Sequence, residues 1–421
     1  MANDERGLRP PSLAGALWLV RPETRAVLEA IERGGYAARV VGGAVRNALL
    51  GEPVKDIDIA TTAEPPEVVR LAEAARLKAV PTGIEHGTVT VIASHMPIEV
   101  TTLRRDIETF GRHARVTFTT DWAEDARRRD FTMNALYCSA DGTIHDPLHG
   151  YADLAARRVR FIGDPHDRIR EDYLRILRFF RFTAEYADGQ PDAAGLKAAI
   201  ELAAGLSDLS GERIRAELLR LLAAPRAAET LAVMDDAGFV ERVLGSRGDL
   251  KLMSRVASIE QALDRSPDAL LRLGALAAAR PGASLALRDR LRLAGTEFER
   301  LARMAMPDKA FDPATPEREA KAFLYRHGNE AFSDGAILAW ARSSDPPGHA
   351  QRLARLTLPA HWQPPPLPVR GSDVMALGVA EGPAVGRVVR AFEDWWVAED
   401  FPTDATVLTA ALRRLATTSG T

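Results

Sequence analysis

The spacing of apolar positions changes near residue 162. Before it, short apolar runs alternate with helical stretches; after it the spacing is helical almost throughout. Ala38–Val41 is a short apolar run closed by Gly42-Gly43, which predicts a strand and a turn, and 44–50 then predicts a helix. Residues 54–60 alternate around acids and predict a strand. A helix is expected over 67–78, and the β-branched runs 88–92 and 98–103 predict strands. The stretch from Leu103 to Thr120 is polar, contains Gly111 and predicts a long loop. From Asp164 onward, the stripe Ile169, Tyr173, Ile176, Leu177 and Phe180 predicts one helix with Asp167 as its N-cap. Ser210 is placed to cap another helix running to Leu222, and further helices are expected to about Arg342. Pro346-Pro347 and Pro364-Pro365-Pro366 mark joints before a last segment, 367–416. No repeat of fixed period occurs. The outline is one α/β head (13–162) and a long helical remainder.

Composition adds bounds. The 421 residues are 46% hydrophobic and 27% charged, ordinary for a soluble chain and enough for roughly two to four packed units. No apolar run reaches the roughly 18 residues of a membrane span, so no membrane partner is expected. Met1 to Pro11, with Asp4 and Glu5, reads as neither signal nor transit peptide. Cys138 is the only cysteine, which excludes an intrachain disulfide and a cysteine zinc site and makes a cytoplasmic location the expectation. The net charge of −3 speaks weakly against RNA binding. Arginines nevertheless cluster at 104–105, 127–129, 157–158 and along 168–181, and phosphate binding needs only a local basic surface. Each cluster alone is equally a solvated helix face.

The most informative stretch is Asp56-Ile57-Asp58-Ile59. In a strand, alternate side chains share a face, so Asp56 and Asp58 would stand together about 6–7 Å apart, with the isoleucines against the core. Such a pair is either two solvated strand acids or a seat for a hard cation such as Mg²⁺, which takes one or two carboxylates and fills its shell with water and phosphate. Gly42-Gly43, ending a strand and opening a helix, leaves backbone N–H groups free for a phosphate. No Gly-Lys-Ser/Thr follows, so this is not a Walker loop. A third acid, Glu99, lies on another expected strand and could face the pair. Together these features suggest two-metal phosphoryl transfer.

Residues 41–47, Leu50-Gly51 and 56–61 resemble the head motif of class II tRNA nucleotidyltransferases and the related bacterial poly(A) polymerases. Further matches follow in order: 128–135 is similar to the ribose-selecting motif, 146–154 with 160–163 to the hinge, 171–175 to the base-reading motif, and 210–217 to the helix bracing it. A weaker likeness appears over 371–396. One departure stands out: Asn47 occupies a position where the family usually has Asp.

The resemblance implies an α+β chain: a nucleotidyltransferase (polymerase β-like) head, then an all-helical neck (163–245), body (246–350) and tail (351–421). It implies two Mg²⁺ ions held by Asp56, Asp58 and Glu99, and nucleotide contacts from Gly42, Gly43, Arg46, Arg129 and Asn134. Asp130 would accept a hydrogen bond from the ribose 2′-OH. The implied substrates are ATP, CTP and tRNA, the latter gripped at its acceptor and TΨC arms; the oligomeric state stays open. Base choice has its own logic. Asp172 only accepts hydrogen bonds and Arg175 only donates. Cytosine and adenine each offer an amino donor beside a ring acceptor, whereas uracil and guanine present the reverse, so one Asp–Arg pair fits C and A. Without that context, a pair three residues apart on a helix is a surface salt bridge. Glu171, four before Arg175, can hold its guanidinium, and Glu212 and Arg213 fall in the bracing motif.

Four rivals remain at this point. Poly(A) polymerases tend to carry a basic pair before the third acid, where this chain reads 81–89 without one. Enzymes adding only CC tend to lack the loop after the third-acid strand, which is kept here as 104–120. The pairs His145-Asp146 and His166-Asp167 are the sole support for a phosphohydrolase. An RNA-binding protein with an inactive head would not need Asp56, Asp58 and Glu99. Trp395-Trp396 reads as a core pair before it reads as an RNA-stacking surface.

Overall fold

The computed structural model describes residues 8–110, 113–278, 282–305 and 309–418. Asp4, Glu5 and Gly111 lie outside them. Two compact units divide the chain, Met1–Val243 and Leu244–Thr421.

Within the first unit, seven strands form one sheet in the order β3-β4-β5-β2-β1-β8-β9. They are β1 (Ala38–Val41), β2 (Asp58–Thr61), β3 (Lys78–Gly83), β4 (Thr88–Ala93), β5 (Met96–Thr102), β8 (Tyr137–Cys138) and β9 (Ile144–His145). β1 and β2 are antiparallel and β2 and β5 parallel. Burial alternates as the pleat requires: Val89, Val91 and Ala93 of β4 are buried, as are Ile98 and Val100 of β5. Helices Pro22–Arg33 and Pro65–Ala74 open with proline in their first turn, where no N–H is missed.

Several expectations are corrected. The strand expected over 54–60 begins only at Asp58, because β1 is four residues long and its ladder ends at the Val41–Asp58 pair; Asp56 precedes the strand. The helix expected over 67–78 is Pro65–Ala74, and Lys78 instead starts β3. The expected long loop is a hairpin, β6 (Arg104–Phe110) paired antiparallel with β7 (His113–Phe118), forming its own two-stranded sheet.

The helix expected across 167–180 is two helices. Pro165–Glu171 is capped by Asp164, whose carboxylate accepts from the His166 and Asp167 amides, so Asp167 is not the cap. Asp172 is extended (φ −156°, ψ 107°), and Leu174–Tyr186 follows. An aromatic cluster then ties the head to this second helix, with ring centroids 5.0 Å apart for Phe131–Phe161, 4.8 Å for Phe131–Phe182 and 5.3 Å for Phe161–Phe179. Beyond His145 no strand occurs among the described residues.

The second unit is helical. Glu317–Arg342 is interrupted at Gly328, whose φ of 78° breaks the helical path. Trp396, 2% exposed, sits in a cluster with Val388, Phe392 and Leu412, and Trp395 packs partly buried against it. Trp396 Nε1–H donates to the Pro402 carbonyl at 2.9 Å. Trp396 is therefore core, as its sequence context suggested. No described helix is long and apolar enough to cross a membrane.

Candidate active site

The chain leaves β1 at Val41 and turns at Gly42, whose φ of 73° is open to glycine at little cost; helix Gly43–Leu50 begins there. A Cβ at Gly42 would stand 3.7 Å from Arg129 Nη1 and 3.8 Å from the Asn134 carbonyl, ordinary contact distances, so the positive φ and not lack of space is what favours glycine. Beside this turn, Asp58 and Glu99 are register partners across the parallel β2–β5 pair. Asp58 and Glu99 are exposed, whereas Ile59, Ile98 and Val100 are buried, so these two acids share the open side of the sheet; Asp56, also exposed, lies just before the strand. Crowding by surrounding protein, and then the Glu99 carboxylate, pushes the Asp58 carboxyl up to about 6 against the opposing pull of Arg129. Among the described residues no three His, Cys, Asp or Glu side chains close into a metal cage.

Arg129 is held by a residue the sequence reading missed. Asp125, 1% exposed, accepts from Arg129 Nε at 3.3 Å and Nη2 at 3.1 Å, from Arg128 Nε at 2.7 Å and from the Tyr137 hydroxyl at 2.8 Å. Burial pushes its carboxyl up, but the two guanidiniums and the tyrosine outweigh that and hold it at about 2. The available signal was an acid four residues before Arg129.

Asp130 lies inward, 8% exposed. Its Oδ1 accepts the Phe131 amide at 2.8 Å and Asn134 Nδ2 at 2.9 Å; its Oδ2 accepts Arg178 Nε at 2.9 Å and Nη2 at 2.5 Å. Burial is again outweighed, here by Arg178 and these hydrogen bonds, and the carboxyl is held at about 2. Arg178, also missed from sequence, lies 48 residues away in the chain. Asn134 Oδ1 accepts from Arg46 Nη1 at 2.5 Å.

Arg46, 7% exposed, is engaged throughout: its Nε and Nη2 donate to Asn47 Oδ1 at 3.1 and 2.9 Å, and Nη2 donates to the Tyr186 hydroxyl at 2.7 Å. Asn47 thus keeps the acceptor that an Asp would offer Arg46, without the charge, and its Nδ2 donates to the Pro53 carbonyl at 3.0 Å.

The expected base-reading residues gather at the break between the two helices and not on one continuous helical face. Asp172 Oδ1 caps the second helix through the Leu174 amide at 3.1 Å, and its Oδ2 accepts from Arg213 at 2.7 Å. Arg175 donates to Glu171 at 2.5 Å and to the carbonyls of Arg168 and Arg128 at 3.0 and 3.2 Å. Glu171 also pairs with Arg168. Glu212 stands in the first turn of helix Gly211–Ala223. The two histidine–aspartate pairs are apart: His145 meets the Ser139 hydroxyl and His166 meets Glu201.

Comparison with known proteins agrees with this architecture. The family described as the poly(A) polymerase head domain matches residues 38–160, and one described as a probable RNA- and SrmB-binding site of polymerase A matches 192–245. The mitochondrial CCA tRNA nucleotidyltransferase 1 of Danio rerio is 34% identical over 391 residues, covering 87% of this chain and 85% of its own. The CCA-adding enzyme of Lacticaseibacillus paracasei is 34% identical over 395 residues, covering 92% and 95%. The crystal structure of the Bacillus stearothermophilus CCA-adding enzyme in complex with CTP superposes with a TM-score of 0.69 at 27% identity, covering 95% of this chain and 99% of that one. An α/β head with acids beside a glycine turn, a helical remainder, and relatives a third identical along nearly their whole length place the chain in the CCA-adding tRNA nucleotidyltransferase family, as an enzyme that transfers nucleotides.

Proposed function

We propose that the protein adds C, C and A to the 3′ end of tRNA from CTP and ATP, without a template, releasing pyrophosphate. The observation carrying this reading is the register pairing of Asp58 with Glu99 beside the Gly42 turn. Two carboxylates on neighbouring strands, one of them pushed up to about 6, form a site where a divalent cation relieves repulsion. Hard oxygen donors on adjacent strands fit Mg²⁺, which takes one or two carboxylates and fills its shell with water and phosphate. Asp56, Asp58 and Glu99 would hold two such ions. When bound, they supply a lowered pKa for the RNA 3′-hydroxyl and charge stabilisation for the leaving pyrophosphate.

The chain's own residues do the rest. The Gly42 turn lets the triphosphate approach the backbone at the start of helix Gly43–Leu50. Arg129, tethered by Asp125, points Nη1 toward that turn. Asp130 reads the ribose 2′-hydroxyl. Asp172 and Arg175 read the base, fitting the donor–acceptor edge shared by C and A; Arg213 steadies the aspartate and Glu171 the arginine. In this reading 13–162 is the catalytic head, 163–245 the neck, 246–350 the body and 351–421 the tail, with the helical parts gripping the acceptor and TΨC arms.

One assay tests it. A tRNA ending before CCA, after C, or after CC is incubated with Mg²⁺ and each NTP singly and together, and product length is read to the nucleotide. Growth stopping at CCA is expected. Long A tracts would make the protein a poly(A) polymerase, a stop at CC a partial enzyme, and no growth would refute activity on this substrate.

A further inference from the structure

The second unit holds a cavity of about 880 Å³, a volume that suits a small ligand. It is bounded by helices Leu250–Ala262 and Ala283–Leu291 and by the end of Glu317–Arg342. Its floor is aliphatic, built on the buried Leu252, Leu276 and Leu287. Four cations line it, Arg247, Lys251, Arg255 and Arg342, against one acid, Asp249. That acid is already committed: its Oδ1 caps helix Leu250–Ala262 by accepting the Leu252 amide at 2.9 Å. Helix Ala283–Leu291 has no acid in its first turn and so adds no counter-charge. Arg255 is fixed without being neutralised. Its Nε donates to the Ala341 carbonyl at 3.5 Å, and its Nη2 to the carbonyls of Ser343 and Asp345 at 3.1 and 2.7 Å, all uncharged acceptors. Its Nη1 makes no hydrogen bond among the described residues. Two of those carbonyls flank Arg342 in the chain, so both guanidiniums stand in one neighbourhood. Arg342 has neither a hydrogen bond nor an ion pair among the described residues; the protein around it holds it below its ordinary pKa, with Asp249 pulling weakly the other way.

Positive charge gathered over an apolar floor, with no free acid to balance it, calls for an anion from outside. No aromatic ring lines the cavity among the described residues, so a nucleobase would find no face to stack on. We propose that this cavity binds a phosphate monoester of an aliphatic alcohol, with the chain over Leu252, Leu276 and Leu287 and the phosphate between Arg255 and Arg342. A guanidinium takes phosphate oxygens two at a time, and two guanidiniums match a dianion better than they match a carboxylate. Arg255 is already ordered by its three carbonyls, so engaging its Nη1 costs little further side-chain entropy. Arg247 and Lys251 raise the positive potential that draws the head group in.

The test is calorimetric titration of the full chain with octyl phosphate, and with butyl phosphate, inorganic phosphate, octanol and octanoate as its partial forms. Octyl phosphate is expected to bind about tenfold or more tighter than each of the others, the size of a charged hydrogen bond or more. Affinity should rise about threefold per methylene from butyl to octyl phosphate as the chain covers the floor. Arg342→Gln, at an exposed position, is expected to weaken octyl phosphate about tenfold and to leave octanol unchanged. Ala286→Trp, which fills the cavity from an exposed position on its helix, is expected to abolish binding of both. An unchanged melting temperature shows that a variant folds, and the ligand series on the wild type stands without either. No binding of octyl phosphate, octanoate binding as tightly, or affinity indifferent to both substitutions would overturn the proposal. Competitive displacement of octyl phosphate by tRNA would overturn it too, since the cavity would then belong to an RNA-binding surface.

Discussion

Replacing Asp125 by Asn removes one charge from inside the head while nearly preserving shape. The carboxylate is 1% exposed and accepts hydrogen bonds from Arg128, Arg129 and the Tyr137 hydroxyl. An amide turns an NH₂ toward at least one of these donors and leaves two guanidiniums without their shared counter-charge. Removing one partner of a buried pair costs about 3–5 kcal/mol. Arg128 and Arg129 keep 16% and 18% of their side-chain surface, so the low end, about 3 kcal/mol, is expected at pH 7. The pH dependence has a definite sign. The folded protein holds this carboxyl at about 2, below its ordinary 3.8. Its contribution, about 2 kcal/mol by linkage, is complete above the ordinary value and is lost as the pH falls toward 2. The gap between wild type and Asp125→Asn should therefore hold constant from neutral pH down to about 5 and narrow below about 4. Urea titrations read by hydrogen exchange across 121–162 report this region and not the chain as a whole. A loss under about 1 kcal/mol at pH 7, or a gap that widens on acidification, would refute the argument. Arg129 also loses its tether, so KM for nucleotides should rise.

Three further outcomes are expected. Asp58→Ala should abolish nucleotide addition with the fold and melting temperature retained; normal activity would sink the metal-binding role. Asp172→Ala should relax the choice among the four NTPs more than it weakens tRNA binding, and an unchanged preference in single-NTP assays would count against base reading. Trp396→Ala should destabilise the second unit by about 3–5 kcal/mol, as for a fully buried aromatic. Because Trp396 is core, tRNA affinity measured below the melting temperature should stay close to wild type, and a selective loss of affinity would restore the stacking role.

What could be read from sequence was what carries a local pattern. Val41-Gly42-Gly43 and the alternation at 56–59 announced themselves through β-branched residues, glycine and acids. Asp56 was assigned to the strand because side-chain alternation says nothing about where a partner ends, and β1 stops at Val41. The hairpin Arg104–Phe118 looked like a loop because a two-stranded ribbon outside the main sheet need not display the one-sided apolar face that marks a core strand. The break at Asp172 was hidden because the apolar stripe carries the same phase across it. Arg178 had no local signal: its partner Asp130 is 48 residues distant, and tertiary packing, such as Phe131 against Phe179 and Phe182, brings the two segments together.

The cations around the candidate site differ in what they have left to give. A guanidinium has five N–H donors. Arg46 makes four hydrogen bonds, to Asn134, Asn47 twice and Tyr186, so most of its donor capacity already serves the fold. Arg129 spends Nε and Nη2 on Asp125 and leaves Nη1 facing the Gly42 turn. Its side-chain entropy, up to about 2 kcal/mol for a free arginine, is already lost on folding, so a triphosphate arriving there need not restrain it again. Loss of activity on truncating Arg46 would thus not identify a phosphate contact, since the same change breaks the chain Asn47–Arg46–Asn134–Asp130. For Arg129 a conservative test exists. Lysine there keeps the charge but cannot hold Asp125 through a fork and still direct a second N–H at the turn, so charge without geometry should raise KM. If that KM rise is found, Arg129 is the arginine that meets the substrate, while the bonds Arg46 already makes would assign it to the scaffold.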